Sequence, residues 1–278
     1  MNIAKESHGQ NKSVNNGGRP HFLMKDYSLY RFSTINKNLI DSLVKGYLFF
    51  AKPEKLNDPF DCRLDISKAM NKAMETAIGS HSRFGLDRLK ILINDGENFE
   101  LREKAMHEWG VCSFSKALKS DKEPLMWSHY ADNHRGIRIL YEIPYQFIFD
   151  NTNVDNILVT STVKYDIDPL TNWFIRFANS EKEIDDGFAV NTINDILLLS
   201  LTSKNPCWDY ENEMRIIRKI PGKFNIPKSF LKQICFGLHA SDEDVALIKE
   251  IVGNYEHEVN LCRVVRADSD FGIDYEDI

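Results

Sequence analysis

The chain switches repeatedly between two spacings of apolar side chains: every second residue, as in half-buried strands, and every third or fourth, as in amphipathic helices. Leu29-Tyr30-Arg31-Phe32 reads as a short strand. Leu39, Ile40, Leu43 and Val44 then recur at helical spacing across Asn36–Lys45, and Gly46 is placed to stop that helix. Tyr47–Ala51 is aromatic and strand-like, while Pro53 and Asn57-Asp58-Pro59 are turn formers. Residues 64–107 mix charges with Met, Leu and Ile and predict two or three helical pieces. Val111–Ser115 reads as a strand, Pro124 opens a short helix running through Tyr130, and Gly136 precedes a strand over Ile137–Glu142. Residues 156–165 read as a strand, and Glu181–Ser203 as one long helix broken by Asn205-Pro206. Strands over Glu213–Arg218 and Ile234–Gly237 follow, then a helix over Asp242–Ile251 capped by Ser241, and a last strand over Val259–Val265. No regular strand-helix-strand unit repeats. The expected fold class is therefore α+β, a mixed or antiparallel sheet with helical insertions. Residues 1–20 read as a flexible leader, 21–267 as a single domain and 268–278 as an irregular acidic tail.

Of the 278 residues, 42% are hydrophobic and 11% aromatic, enough for a sizeable core. The 41 acidic residues outnumber the 35 basic ones, for a net charge of −6, which argues against coating nucleic acid by charge alone. No run approaches the roughly 18 apolar residues of a membrane span, and the N-terminus lacks the apolar centre of a secretory signal. Five widely spaced cysteines without Cys-x-x-Cys argue against a disulfide framework or a zinc ribbon, so the cytoplasm is the expected compartment. Nucleotide-binding Gly-rich loops, His-Glu-x-x-His and Gly-x-Ser-x-Gly are missing.

Candidate chemistry gathers in a few places. In Trp208-Asp209-Tyr210-Glu211-Asn212-Glu213-Met214-Arg215, strand alternation would put Glu211, Glu213 and Arg215 on one face, with Met214 and Ile216 towards the core. Two such carboxylates can divide labour, one stabilising a developing cation and one handling a proton; the alternative is a solvated strand edge with a Glu–Arg pair. The segment Trp127–Gly136 is dense in hydrogen-bonding and stacking groups, or else is a half-buried helix whose Trp and Tyr fill the core. His129 and His134, five positions apart, do not share a helical face, so a metal pair there is not expected. Asn57-Asp58-Pro59-Phe60-Asp61 is accounted for as a turn. A guanidinium at Arg31 in a central strand would need an anionic partner, for which a phosphate would serve. Ser113 and Ser115 share a strand face.

The order of these motifs resembles the bacterial family known as domain of unknown function 2971. The matching pieces run from Leu29-Tyr30-Arg31-Phe32 through Asn57-Asp58-Pro59-Phe60, Cys112-Ser113-Phe114-Ser115, Met126-Trp127-Ser128-His129-Tyr130 and His134-Arg135-Gly136-Ile137 to Tyr210-Glu211-Asn212-Glu213-Met214-Arg215 and Phe236-Gly237. More distantly, an Arg in an early strand, a Ser-x-Ser strand and a late Glu-x-Glu resemble the ADP-ribosyltransferase toxins, although Ser-Phe-Ser stands where those carry Ser-Thr-Ser. That resemblance implies an ADP-ribosyltransferase-like fold with NAD as substrate and no metal. It makes Glu213 the catalytic carboxylate and Glu211 the group that prepares the acceptor. Arg31 would hold the NAD phosphates, Ser113 and Ser115 would support the site, and Trp127, His129 or Tyr130 would contact the nucleotide.

The expected partners are a macromolecular acceptor, protein or nucleic acid, and an antitoxin or regulatory protein, as suits a toxin or anti-phage effector. Two other readings stand beside it: a non-catalytic recognition module whose Glu/Arg cluster only shapes a pocket, and a hydrolase or nuclease using His129 or His134.

Overall fold

The computed structural model describes residues 26–76, 80–94, 104, 107–117, 122–151, 158–179, 186–268 and 272–278. Twelve strands and eight α-helices fall within the described residues. The expected leader, residues 1–20, lies outside them. The fold is α+β around a mixed eight-stranded sheet. Its order is β12 (Ile273–Asp277), β11 (Asn260–Arg266), β10 (Leu231–Phe236), β4 (Ile137–Ile143), β1 (Tyr27–Ser33), β3 (Gly110–Ser115), β8 (Glu213–Arg218) and β5 (Leu158–Thr162). All neighbours are antiparallel except β10 and β11, which the helix α8 (Asp242–Gly253) joins as a crossover. Two small two-stranded sheets sit beside it: β2 (Tyr47–Phe50) with β9 (Gly222–Asn225), and β6 (Lys164–Tyr165) with β7 (Ser203–Lys204).

The first helix, α1 (Lys37–Lys45), shows how local sequence sets the boundaries. The Asn36 side chain accepts from the amides of Asn38 and Leu39 at 2.9 and 3.0 Å, and Gly46 ends the helix at φ +71°. Leu39 and Leu43 are its buried residues. They join one core with Leu29, Phe114, Ile139, Tyr141, Met214 and Ile216 on one sheet face. The other face carries two clusters. One sits under α2 (Ile66–Thr76), α3 (Ser80–Asn94), α6 (Pro169–Ala178) and α7 (Asp186–Leu201), around Val111 and Ile217. The other holds Phe32, Trp127, Cys235 and Cys262 beneath α4 (Glu123–Tyr130).

The structure departs from the sequence reading in several places, among them the unanticipated β9 and the strand read over 156–165, which is split into β5 and β6. The tail expected to be irregular forms β12, pairing antiparallel with β11 along Cys262–Arg266. Only Ile273 of this strand packs against the core and the Tyr275 ring is only partly covered, so the acidic neighbours face water and the strand pattern is hidden. The short α5 (Tyr145–Asp150) and α6 were not anticipated, although Asp168 caps α6 through the Thr171 amide at 3.3 Å. Ser203, expected in the long helix, is the first residue of β7, and helix α7 is described only from Asp186. Lastly, Glu211 does not stand in a strand. It ends a 3-10 turn over Pro206–Glu211, and Asn212 in the left-handed region (φ 44°) carries the chain into β8.

The sheet is nearly divided. The pairing of β1 with β4 runs over seven residues, and that of β3 with β8 over six, but β1 and β3 meet at one position, Tyr30 opposite Ser115. Further along, β3 turns instead to Ala51, the residue after β2: the Val111 amide donates to the Ala51 carbonyl at 2.7 Å, and Ala51 returns the bond at 2.9 Å. Ser113 lies between these two anchor points. By the alternation of an antiparallel strand its N–H and C=O point the same way as those of Val111, into the gap.

Candidate functional site

A cavity of about 280 Å³ fills this gap. Strand residues from both sides reach it, Tyr30, Arg31 and Phe32 from β1 and Val111–Ser115 from β3. The turn after β2 adds Lys55, Asn57 and Asp61; α4 adds Tyr130; and Lys204, Glu211 and Glu213 close the floor. Residues from position 30 to position 213 therefore converge on one space. Arg31, Ser113, Ser115, Tyr130, Glu211 and Glu213, all singled out in the sequence, are among them.

Trp127 and His129 are not. Trp127 is fully buried beneath α4, edge-on to Phe32 at 5.1 Å, and its size fills the core. His129 is exposed on the opposite helix face, with Nδ1 2.8 Å from the Tyr210 hydroxyl. His134 is turned away as well. Its Nε2 lies 3.2 Å from the Ser128 hydroxyl and its ring stacks on Trp127 at 6.4 Å, so neither histidine meets the acidic cluster as the hydrolase reading needed. The polar density of this segment builds a tight corner instead. Asp132, Asn133 and His134 are all left-handed, and Gly136 and Gly237 pack against the loop backbone.

The floor of the cavity is a buried ion network. Arg215, 1% exposed, spends all five of its N–H groups. Nε donates to Glu213 at 2.7 Å, Nη1 to Asp61 at 3.0 Å and to the Leu201 carbonyl at 2.7 Å, and Nη2 to Asp61 and to Glu213 at 3.1 Å. The Lys204 ammonium sits 2.7 Å from Glu211, 3.6 Å from Glu213 and 4.0 Å from Asp61, and 4.7 Å from the centre of the Trp208 ring. The Tyr130 hydroxyl donates to the other oxygen of Glu211 and accepts from the Asn57 amide at 2.9 Å. Three carboxylates thus face two cations.

The two central carboxylates are pushed in opposite directions. Burial works against the charged form of Glu213, but Arg215, Lys204 and the Ser113 hydroxyl outweigh it and hold the carboxyl below its usual range. Burial dominates at Glu211. It raises the carboxyl despite Lys204 and Tyr130, and the neighbouring Glu213 charge adds to the rise. One carboxylate is fixed as an anion and its neighbour is biased towards taking up a proton.

Arg31 differs from both floor cations. It is half-buried, its Nη1 donates to the Cys112 sulfur at 3.2 Å, and it makes no ion pair with a described residue. Arg138, on the neighbouring strand β4, pairs with Glu123 between the rings of Tyr30 and Tyr275. Lys204 and Asp61 were not identified from sequence as site residues. Lys204 follows a helix and shows no spacing relative to Glu211, and Asp61 was absorbed into the turn reading of Asn57–Asp61.

Residues 126–216, about a third of the chain, match the model of a family described as protein of unknown function (DUF2971). The match spans Tyr130, Lys204, Glu211, Glu213 and Arg215, and leaves Arg31, Asp61, Ser113 and Ser115 outside it. It supports the resemblance to that family. No curated protein and no solved structure matches the chain.

Proposed function

We propose that the cavity is the site of an NAD-consuming ADP-ribosyltransferase acting on a macromolecule, in the manner of a bacterial toxin or defence effector. The observation that carries this reading is the convergence of Glu213, Glu211, Ser113, Ser115 and Arg31 on one cavity in the gap between β1 and β3. In that reading the bond between the nicotinamide nitrogen and the anomeric carbon breaks, and its electron pair leaves with nicotinamide. Positive charge develops on the ribose, as in glycoside cleavage. The fixed anion of Glu213 stabilises that charge more than it stabilises the ground state. The acceptor's nucleophile bonds to the anomeric carbon and its proton passes to Glu211, whose raised affinity for protons suits the task. Arg31 holds the phosphates.

Purified protein is expected to release nicotinamide from NAD, and Glu213→Gln to abolish the release while still unfolding cooperatively, at a lower temperature than the parent. Unchanged release in that variant would refute the reading. A second reading, a non-catalytic recognition module, is favoured by one observation: every carboxylate oxygen of Glu211 and Glu213 already has a cation or hydroxyl partner. Saturable NAD binding with no nicotinamide release at any pH would favour it over the transferase.

A further inference from the structure

The cavity at Glu213 is small for the ligand proposed for it. Its volume of about 280 Å³ lies just under the range of about 300–1,000 Å³ that holds drug-sized ligands, and a dinucleotide is larger than most of those. A second cavity of about 410 Å³ adjoins it. The two share Arg31 and Phe49 as a common wall. The second lobe lies on the face of the sheet occupied by α1, between β1, β2 and the first turn of that helix.

The lining of this lobe has a distinct chemistry. The chain carries more acidic than basic residues, yet among the described residues two cations, Arg31 and Lys223, line the lobe and no Asp or Glu does. Lys223 pairs with Asp41 at 2.8 Å, and Asp41 also accepts from the Tyr47 hydroxyl at 2.8 Å. Ser33, Asn36 and Asn38 supply neutral donors and acceptors suited to sugar hydroxyls or a base edge. Phe49 is 49% exposed, an uncovered ring at the junction of the two lobes.

We infer that the second lobe is a nucleoside-phosphate subsite: Arg31 at the junction takes the phosphate, and the ribose and base lie against Phe49, Ser33 and Asn38. The inference rests on the transferase reading for the identity of the whole ligand, NAD, and assigns its adenosine end to the lobe on the α1 face. The nicotinamide end stays beside Glu213. The site is therefore two-lobed, and Arg31, which has no ion-pair partner among the described residues, is left to pair with the ligand's phosphate.

The test is equilibrium binding of AMP, nicotinamide mononucleotide and NAD to the full chain and to two variants, Asn38→Trp and Lys223→Ala. Both positions are exposed, outside the ion network, and change the lobe without touching the floor of the first cavity. AMP is expected to bind and to compete with NAD. Asn38→Trp, which fills the lobe, is expected to weaken AMP and NAD by about tenfold or more, with nicotinamide mononucleotide unaffected, and Lys223→Ala to weaken AMP in the same direction. Binding of nicotinamide mononucleotide without AMP, or NAD affinity unchanged in Asn38→Trp, would overturn the second lobe and leave the transferase reading standing. AMP binding lost in Asn38→Trp, together with no nicotinamide release by the parent protein, would support the lobe and remove the transferase.

Discussion

At the scale of single residues, the central fact is that Lys204 and Arg215 neutralise three carboxylates inside the protein. Removing one partner of a buried pair leaves an uncompensated charge, which costs about 3–5 kcal/mol. Lys204→Met is therefore expected to lower unfolding free energy by about that amount in urea titrations, and adding Glu211→Gln to recover part of it. A loss below about 1 kcal/mol, the scale of exposed pairs, would contradict the network. The opposed carboxyl shifts carry a pH signature. A base must be deprotonated, so if Glu211 takes the acceptor's proton, ADP-ribose transfer rises with pH through a value above the usual 4.5. That acid limb is expected to disappear in Glu211→Gln, and an identical pH profile would exclude Glu211 as the base. Glu213 behaves in the other sense. Its carboxyl is lowered in the folded protein, so its contribution to stability is present above pH 4.5 and lost as pH falls through the depressed value. The Glu-x-Glu-x-Arg pattern was legible because strand residues two apart share a face, and Glu213 and Arg215 do so. Trp127 and His129 were chosen for their chemistry, but burial decided their roles: the large apolar ring went into the core and the imidazole out to solvent.

At the scale of elements, most boundaries were written locally. Asn36 and Gly46 bracket α1, Ser241 caps α8 by accepting from the Asp244 amide at 3.1 Å, and Pro124 lies in the first turn of α4. Non-local elements were not legible. The strand β12 exists because β11 offers it an edge and Tyr275 reaches Glu123, neither of which its own acidic sequence reveals. The corner after α4 is the element on which the cavity most depends, because it fixes the helix that carries Tyr130 against the start of β4. The His134 carbonyl accepts from the His239 amide at 2.9 Å, and a Cβ at position 237 would stand 2.1 Å from that carbonyl oxygen. The obstacle is backbone, which cannot swing aside. Gly237→Ala is therefore expected to destabilise the fold by about 1–3 kcal/mol or more, as overpacking does. Gly253→Ala, where a Cβ meets nothing within 4 Å, is the control that should stay near neutral. Equal melting temperatures for the two variants would show that the corner yields.

For the whole molecule, the division of the sheet is what turns a set of motifs into a site. A fully paired β1–β3 edge would satisfy the backbone of both strands and close the space between them. Here the one pair, Tyr30 with Ser115, joins β1 to β3 while Ala51 takes over at Val111, so the chain leaves a polar opening where a sheet would ordinarily be continuous. The sequence could not announce this. Each strand has its own period, but which neighbour it pairs with depends on long-range contacts. The consequence is measurable by amide hydrogen exchange. Val111 and Ser113 lie two residues apart in one strand, yet the Val111 amide is bonded to Ala51 and the Ser113 amide faces the gap. Ser113 is expected to exchange faster than Val111 in the free protein, since opening of the sheet is not needed to reach it. A ligand seated between Arg31 and Glu213 covers that amide, so saturating NAD is expected to slow Ser113 strongly and Val111 hardly at all. Uniform slowing along β3 would instead signal a global gain in stability without occupancy of the gap. Protection confined to other surfaces would place the ligand elsewhere.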